Sequence, residues 1–292
     1  MLKLLHISDL HFGPPYREKV GQAVLRLAPT LEPDVIVASG DFTQRAKDAQ
    51  FAEARAFLDQ LPAVPTVVVP GNHDVPLYRI GERLRDPHGL YRKHISPDLN
   101  RVWQVDSAVF VGLDSTAPHT AISNGRISEK QLEFCADAFT NAGNGLARIV
   151  VAHHHFAPAP DIERDRVMPK ARRAMKRFVE MGVDMVLGGH LHRAYIGDSL
   201  DIYPELRSGH QGIIIVQCGT TTSRRGRGRE RERNSLNTIQ IFPELVDITH
   251  YMYFDDTDAF EPISCHQFPR RGKRSVVRNA GTDERTTLDG GS

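Results

Sequence analysis

Five short stretches carry the residue types that could do chemistry: Asp9-Leu10-His11, Gly40-Asp41, Gly71-Asn72-His73-Asp74, His153-His154-His155 and Gly189-His190-Leu191-His192. Carboxylate and amide oxygens are hard donors and imidazole nitrogens borderline ones, a mixture that suits divalent cations. Any one of these pairs is also what a turn with a hydrogen-bonded histidine looks like. Jointly they offer two carboxylates, one amide oxygen and several imidazoles, enough for two ions. Half of the chain's 14 histidines fall in these stretches, which surface histidines scattered by composition would not do. Asp41 is the natural bridging ligand, since one carboxylate can give an oxygen to each ion. Two divalent ions about 3.5–4 Å apart clamp a phosphoryl group and bring the pKa of a bridging water toward neutrality. The chemistry implied is phosphoester hydrolysis by metal-bridged hydroxide.

Each stretch sits where an apolar run stops. Leu4 to Ile7, Val35 to Ala38 and Val67 to Val69 read as short buried strands, separated by helical patterns over Arg17 to Ala28 and Lys47 to Leu61. Right-handed crossovers then put the three strands in one largely parallel sheet. Their carboxyl ends share an edge, which is where open α/β sheets build sites, and Asp9, His11, Asp41, Asn72 and His73 are delivered there together. Ala108 to Leu113, Ile149 to Ala152 and Met185 to Leu187 are further strands, with helices over Ser128 to Phe139, opened by a Ser128–Gln131 capping box, and Lys170 to Met181. Arg79 to Asn100 is polar and irregular, a cap or insert. Beyond His192, Gly212 to Gln217, Leu236 to Ile241 and Leu245 to Tyr253 read as strands of a second, partly antiparallel sheet packed on the first.

The composition is that of a globular protein: 292 residues, 40% hydrophobic, 25% charged, with a formal net charge of +1. A balance so close to neutral provides no global field for nucleic acid or an anionic membrane, so nucleic acid is not favoured as a partner. Cys135, Cys218 and Cys265 are few and odd in number, which fits free buried thiols in a reducing compartment. No leader pattern is visible and no window approaches the roughly 20 apolar residues of a membrane span. A cytoplasmic protein is expected. Residues 269–292, rich in Arg, Gly, Ser, Asp and Thr, read as a disordered tail on a single domain over residues 1–268.

In order and residue type the five stretches resemble the motifs of the calcineurin-like metallophosphoesterase superfamily over about residues 1 to 195. The resemblance implies an α/β fold, an αββα sandwich of two mixed sheets flanked by helices, with a bimetal site at the carboxyl ends of the strands. It implies that Asp9, His11, Asp41 and His192 hold the first ion, and that Asp41, Asn72, His190 and one histidine of the triple hold the second. His153, at the strand end, is favoured over His154. His73 would be the non-ligand histidine that stabilises or protonates the leaving group, with Asp74 orienting it. The metals would be Mn, Fe, Zn or Co. Where the family often reads His-His-Pro, this chain has His153-His154-His155-Phe156.

Within the superfamily the chain is similar to the class III cyclic-nucleotide phosphodiesterase branch, which implies small phosphodiester or nucleotide substrates such as cyclic AMP. The alternatives are a DNA exonuclease, a nucleotide-lipid pyrophosphatase, or a scaffold that has lost catalysis. The run from Arg224 to Arg233 is either a solvated loop with internal Arg/Glu compensation or a phosphate contact, since guanidinium groups bind phosphate bidentately. Gly219-Thr220-Thr221-Thr222 before it is either a plain turn or a hydrogen-bonding contact to substrate.

Overall fold

Apolar runs without alternation form strands when both sheet faces are covered. The fold, a computed structural model describing residues 1–120, 125–158, 167–206 and 212–270, shows how that happens here. The chain runs β1 (Leu2–Ile7), α1 (Glu18–Thr30), β2 (Val35–Ala38), α2 (Asp48–Leu58), β3 (Thr66–Val68), α3 (Ile80–Arg85), α4 (Gly89–His94), β4 (Arg101–Val105), β5 (Ala108–Leu113), α5 (Glu129–Asn141) and β6 (Ala147–Ala152). It continues with α6 (Ala171–Glu180), β7 (Met185–Gly188), β8 (Tyr195–Asp198), α7 (Ser199–Ile202), β9 (Ile214–Gln217), β10 (Ser235–Ile241), β11 (Leu245–Phe254) and β12 (Ala259–Pro269).

Two six-stranded sheets result, ordered β12-β11-β10-β1-β2-β3 and β4-β5-β6-β7-β9-β8. In the first, β1, β2 and β3 pair parallel and β10 to β12 antiparallel; in the second, β5, β6, β7 and β9 are parallel between antiparallel edges. Side chains alternate between two cores. Leu2, Leu4, Val35, Val37, Phe110, Ile149 and Leu187 fill the layer between the sheets. Leu5, Ile7, Ile36 and Ala38 pack outward with Val24, Phe51 and Phe57 of α1 and α2. Val109, Val111, Val150 and Val186 pack outward with Phe139, Met175 and Phe178 of α5 and α6. The α/β fold is thus the four-layer αββα sandwich, and the capping box forms: Ser128 N–H donates to Gln131 Oε1 at 2.9 Å.

The assignment of strands to sheets differs from the sequence reading. Of the strands after His192, only β8 and β9 belong to the second sheet; β10 to β12 extend the first, with β10 antiparallel to β1. Periodicity marks a strand but not the edge it joins, and β10 completes the exposed edge of β1 after the chain crosses between sheets. Three strands escaped the pattern: β4, β8 and β12. β12 is an edge strand carrying Pro262 at a register shift against β11, the position where a strand tolerates proline. Arg79 to Asn100 forms two short helices whose Tyr91 is fully buried. Cys135 and Cys218 are buried free thiols as read, whereas Cys265, on the edge strand β12, is exposed. Among the described residues no helix is long and apolar enough to cross a membrane. The expected tail lies outside the described residues from position 271; Pro269 still belongs to β12.

Candidate metal centre

The loops that leave β1 and β2 are zipped together past the strand ends. Asp9 N–H donates to the Gly40 carbonyl at 3.0 Å, His11 N–H to Asp41 at 2.9 Å and Phe12 N–H to Phe42 at 2.9 Å. This pairing is bought with strained backbone: Asp9, His11, Asp41, His190 and His192 have φ of 53°, 52°, 54°, 74° and 55°. Non-glycine residues rarely adopt this left-handed region, and its concentration in the motif residues marks a site. Gly71 makes the close approach possible, because a Cβ there would overlap the backbone nitrogen and Oδ1 of Asp41 and lie 2.8 Å from its Cγ.

Both carboxylates are buried and used asymmetrically. Asp9 Oδ2 accepts from Ser8 Oγ at 2.7 Å and His190 N–H at 2.9 Å. Asp41 Oδ1 accepts from His73 N–H at 2.8 Å. Asp9 Oδ1 and Asp41 Oδ2 have no hydrogen-bond partner. Oδ1 of Asp9 lies 3.2 Å from His192 Nε2 and 3.6 Å from His11 Nε2, while Oδ2 of Asp41 lies 3.6 Å from His11 Nε2 and 3.4 Å from His153 Nε2. The imidazoles are turned by their other nitrogen. Nδ1 of His153 donates to the Ser39 carbonyl at 2.8 Å, Nδ1 of His192 to the Arg225 carbonyl at 3.0 Å and Nδ1 of His73 to the Gln44 carbonyl at 2.9 Å, so each Nε2 is turned inward.

Two donor groups therefore share Asp41. Asp9, His11, Asp41 and His192 bring one ligand atom each within 4.8 Å of one another. Beside them, Asn72 Oδ1 lies 3.3 Å from His153 Nε2 and 2.9 Å from His190 Nδ1. Of the three consecutive histidines it is His153 that reaches Asp41 and Asn72; His154 turns its Nδ1 to Ser115 Oγ at 2.9 Å. Burial alone would raise the pKa of Asp9 and Asp41, but the imidazoles around them hold both well below the carboxylate range. Burial lowers His11 to about 4 and His190 to about 3, which leaves them neutral donors. Burial opposes charge on His153 as well, yet Asp41 draws it up to about 9. Among the described residues no Lys or Arg pairs with either carboxylate. Bare carboxylate oxygens and inward-turned imidazole nitrogens fit divalent cations, which would take the place of the proton on His153, and these residues could hold two.

Asp74 lies elsewhere than expected. Its carboxylate accepts from the backbone N–H groups of Phe42 (3.2 Å), Thr43 (2.9 Å) and Gly71 (2.9 Å), bracing the loops, while the ring of His73 is set by the Gln44 carbonyl. The threonines after β9 are likewise buried and bind protein: Thr220 Oγ1 donates to the Asp9 carbonyl and Thr222 Oγ1 to Leu10, both at 2.8 Å. They clamp the Asp9 loop, the plain structural alternative to a substrate contact. In the arginine run, Glu230 is a buried anchor accepting from Ser235 Oγ at 2.6 Å, and Arg225 and Arg227 line the cleft. That cleft, of about 370 Å³, opens over Asp41, Asn72, His73, His190 and His192. The sequence carried no signal for Ser39, Gln44 and Arg225 as histidine partners, because a main-chain carbonyl is common to every residue.

A family model for calcineurin-like phosphoesterases matches residues 2–194. Over 263 residues, 83% of this chain and 77% of the relative, the chain is 27% identical to a cAMP/cGMP dual specificity phosphodiesterase of Mycobacterium tuberculosis. It is also 27% identical over 297 residues, 94% of this chain and 91% of the relative, to a probable cyclic nucleotide phosphodiesterase of Rhodococcus erythropolis. A purple acid phosphatase from yellow lupin, Lupinus luteus, shares the fold with a TM-score of 0.68 at 12% identity, covering 91% of this chain and 53% of that one. The chain belongs to the calcineurin-like phosphoesterase family and is a metal-dependent hydrolase of phosphoric esters.

Proposed function

We propose that this protein hydrolyses small phosphodiesters, with 3',5'-cyclic nucleotides as the substrate class that its relatives' names point to. The observation that carries the reading is the pair of donor groups joined at Asp41 beneath one cleft. Asp9, His11, Asp41 and His192 would hold one divalent ion and Asp41, Asn72, His153 and His190 the other. Bound there, the pair polarises the phosphoryl oxygens and activates a water at neutral pH.

The chain's own residues do the rest. Ser8 and the His190 N–H fix the Asp9 carboxylate, and the carbonyls of Ser39 and Arg225 fix the rings of His153 and His192. His73 turns Nε2 to the cleft. As water oxygen bonds to phosphorus, the bond from phosphorus to the leaving oxygen breaks and its electron pair stays on that oxygen. The leaving oxygen takes a proton from His73 Nε2, and the proton lost by the water passes to solvent. The His73 tautomer seen, protonated on Nδ1 toward Gln44, is the one left after that transfer.

Purified protein with Mn²⁺ is to be assayed on 3',5'-cyclic AMP, bis-p-nitrophenyl phosphate, single-stranded DNA and UDP-linked lipid. Turnover of the first two, and not of the others, is expected. His73→Ala should lower turnover by about 10²–10⁴, the range for a lost acid/base group, with bound metal unchanged. Collapse of metal content in that variant would make His73 a ligand and overturn the assignment.

A further inference from the structure

Helix α3 faces solvent with its apolar side. Its six residues bury no side chain, and a helix this short is not stable by itself. Two arginines attach it to the body. Arg79 donates from Nη2 to the Ala46 carbonyl at 2.6 Å, and Arg83 from Nη2 to the Thr120 carbonyl at 3.0 Å and from Nη1 to that of Pro76 at 3.3 Å. The apolar side chains stay outside: Ile80 and Leu84, one turn apart, are 65% and 61% exposed, and Tyr78 just before them 75%. An ordinary surface helix does the opposite. Leu77 joins this patch to the cleft, which it lines. Single exposed apolar residues are normal on a protein surface, but four within eight residues form a patch, and such patches mark contact surfaces.

The surrounding charge narrows what covers it. Glu82 and Asp86 are taken by Arg79 and Arg92, each at 2.8 Å, and among the described residues Arg83 and Arg85 form no ion pair with a carboxylate. Arg45 stacks on the Tyr78 ring, 5.4 Å from its centroid, likewise without a carboxylate partner among the described residues. The net charge of +1 for the whole chain conceals this local excess of cations. A second copy docked through a two-fold axis would set these arginines near their own images, and like charges oppose that contact. The occupant must be apolar and anionic together. A lipid–water interface with acidic headgroups is both: Tyr78, Ile80 and Leu84 enter the headgroup boundary while the arginines meet phosphate.

We propose that residues 77–85 are a docking surface for an anionic lipid interface. The contact is peripheral, made by side chains of one short helix and the loop before it. Because Leu77 belongs to both patch and cleft, docking sets the mouth of the cleft at the interface. The proposal does not depend on which phosphoric ester is cleaved.

The test is sedimentation of the full chain with sucrose-loaded vesicles of phosphatidylcholine, with and without an equal part of phosphatidylglycerol, at low and high salt. The protein is expected to pellet with the acidic vesicles, less so at high salt, and little with phosphatidylcholine alone. The double variant Ile80→Ser with Leu84→Ser should weaken partitioning to acidic vesicles by about 10²-fold or more, the loss for two aliphatic side chains. Arg85→Gln should weaken it about fivefold, the effect of one cation near such a surface. All three side chains are exposed, so the melting temperature should not move. No pelleting with acidic vesicles, or partitioning that ignores the double substitution, overturns the proposal. So does a dimer in sedimentation velocity that the double variant turns into monomer, which would give the patch to a second copy. Should the double variant fail to fold, Arg85→Gln decides, and binding equal to wild type in that variant overturns the proposal as well.

Discussion

Gly71→Ala tests whether close packing of two loops, rather than ligand identity alone, builds the site. The added methyl would overlap the backbone nitrogen and Oδ1 of Asp41, and backbone atoms cannot rotate away. The two loops must separate, which breaks or stretches the bonds that cross between them, from Thr43 N–H to Asp74 Oδ1 (2.9 Å) and from His73 N–H to Asp41 Oδ1 (2.8 Å). A hydrogen bond to a charged group is worth about 1.5–3 kcal/mol, so losing both costs about 3–6 kcal/mol. At about 2–4 °C per kcal/mol for a chain of this order of size, the melting temperature in EDTA should fall by roughly 6–24 °C. Asp41 belongs to both donor groups, so retained Mn²⁺ after gel filtration should drop from two equivalents to below one. Gly81→Ala is the control: apart from its own helix no atom lies within 4 Å of a Cβ there, and the change should be neutral or stabilising by about 0.4–1 kcal/mol. A Gly71→Ala protein that melts like the wild type in EDTA and keeps two metal equivalents would refute the packing argument.

Two further outcomes concern support and acid stability. Thr220→Val removes the donor to the buried Asp9 carbonyl (2.8 Å), so unfolding free energy should drop by about 1–3 kcal/mol and chelator competition should show weaker metal retention. Thr220→Ser should restore both, and a Val variant equal to wild type would discount the clamp. His250 faces Asn237 Oδ1 at 2.8 Å on β10, Glu230 at 3.7 Å and His266 on β12, and burial lowers its pKa to about 4. The folded protein takes up this proton less readily than the unfolded chain, whose histidines titrate near about 6.5. The penalty is absent above about pH 6.5, grows as pH falls and is complete below about 4, amounting to about 3 kcal/mol. His250→Gln should therefore flatten the urea-unfolding free energy between those pH values, and an unchanged slope would count against it.

The motif residues were legible because chemistry restricts residue type: only a few side chains offer oxygen or nitrogen to a cation. The buried strands were legible because coverage on both faces leaves few or no polar positions in β1, β2, β5, β6 and β7. What stayed hidden has a common cause. The Ser39, Gln44 and Arg225 carbonyls act through the main chain, which any residue supplies. Asp74 looked like a partner for its neighbour His73, yet the short helical turn over Asn72–Asp74 sends its carboxylate back to the Phe42 and Thr43 amides. Edge strands β4, β8 and β12 bury little, so their patterns were weak, and nothing local told β10 that its partner was β1 rather than β9.

The threonine clamp also sets a schedule. Thr220 is 211 residues beyond the Asp9 it secures, and β10 follows later still. At about 5–20 residues per second, the ribosome adds that stretch in roughly 10–40 s, during which Asp9, His11 and Asp41 have left the exit tunnel without their clamp. The full donor group, with His192 and the Thr220 clamp in place, can therefore form only after more than 200 residues have been added beyond Asp9, and ordered cation binding waits for that stretch.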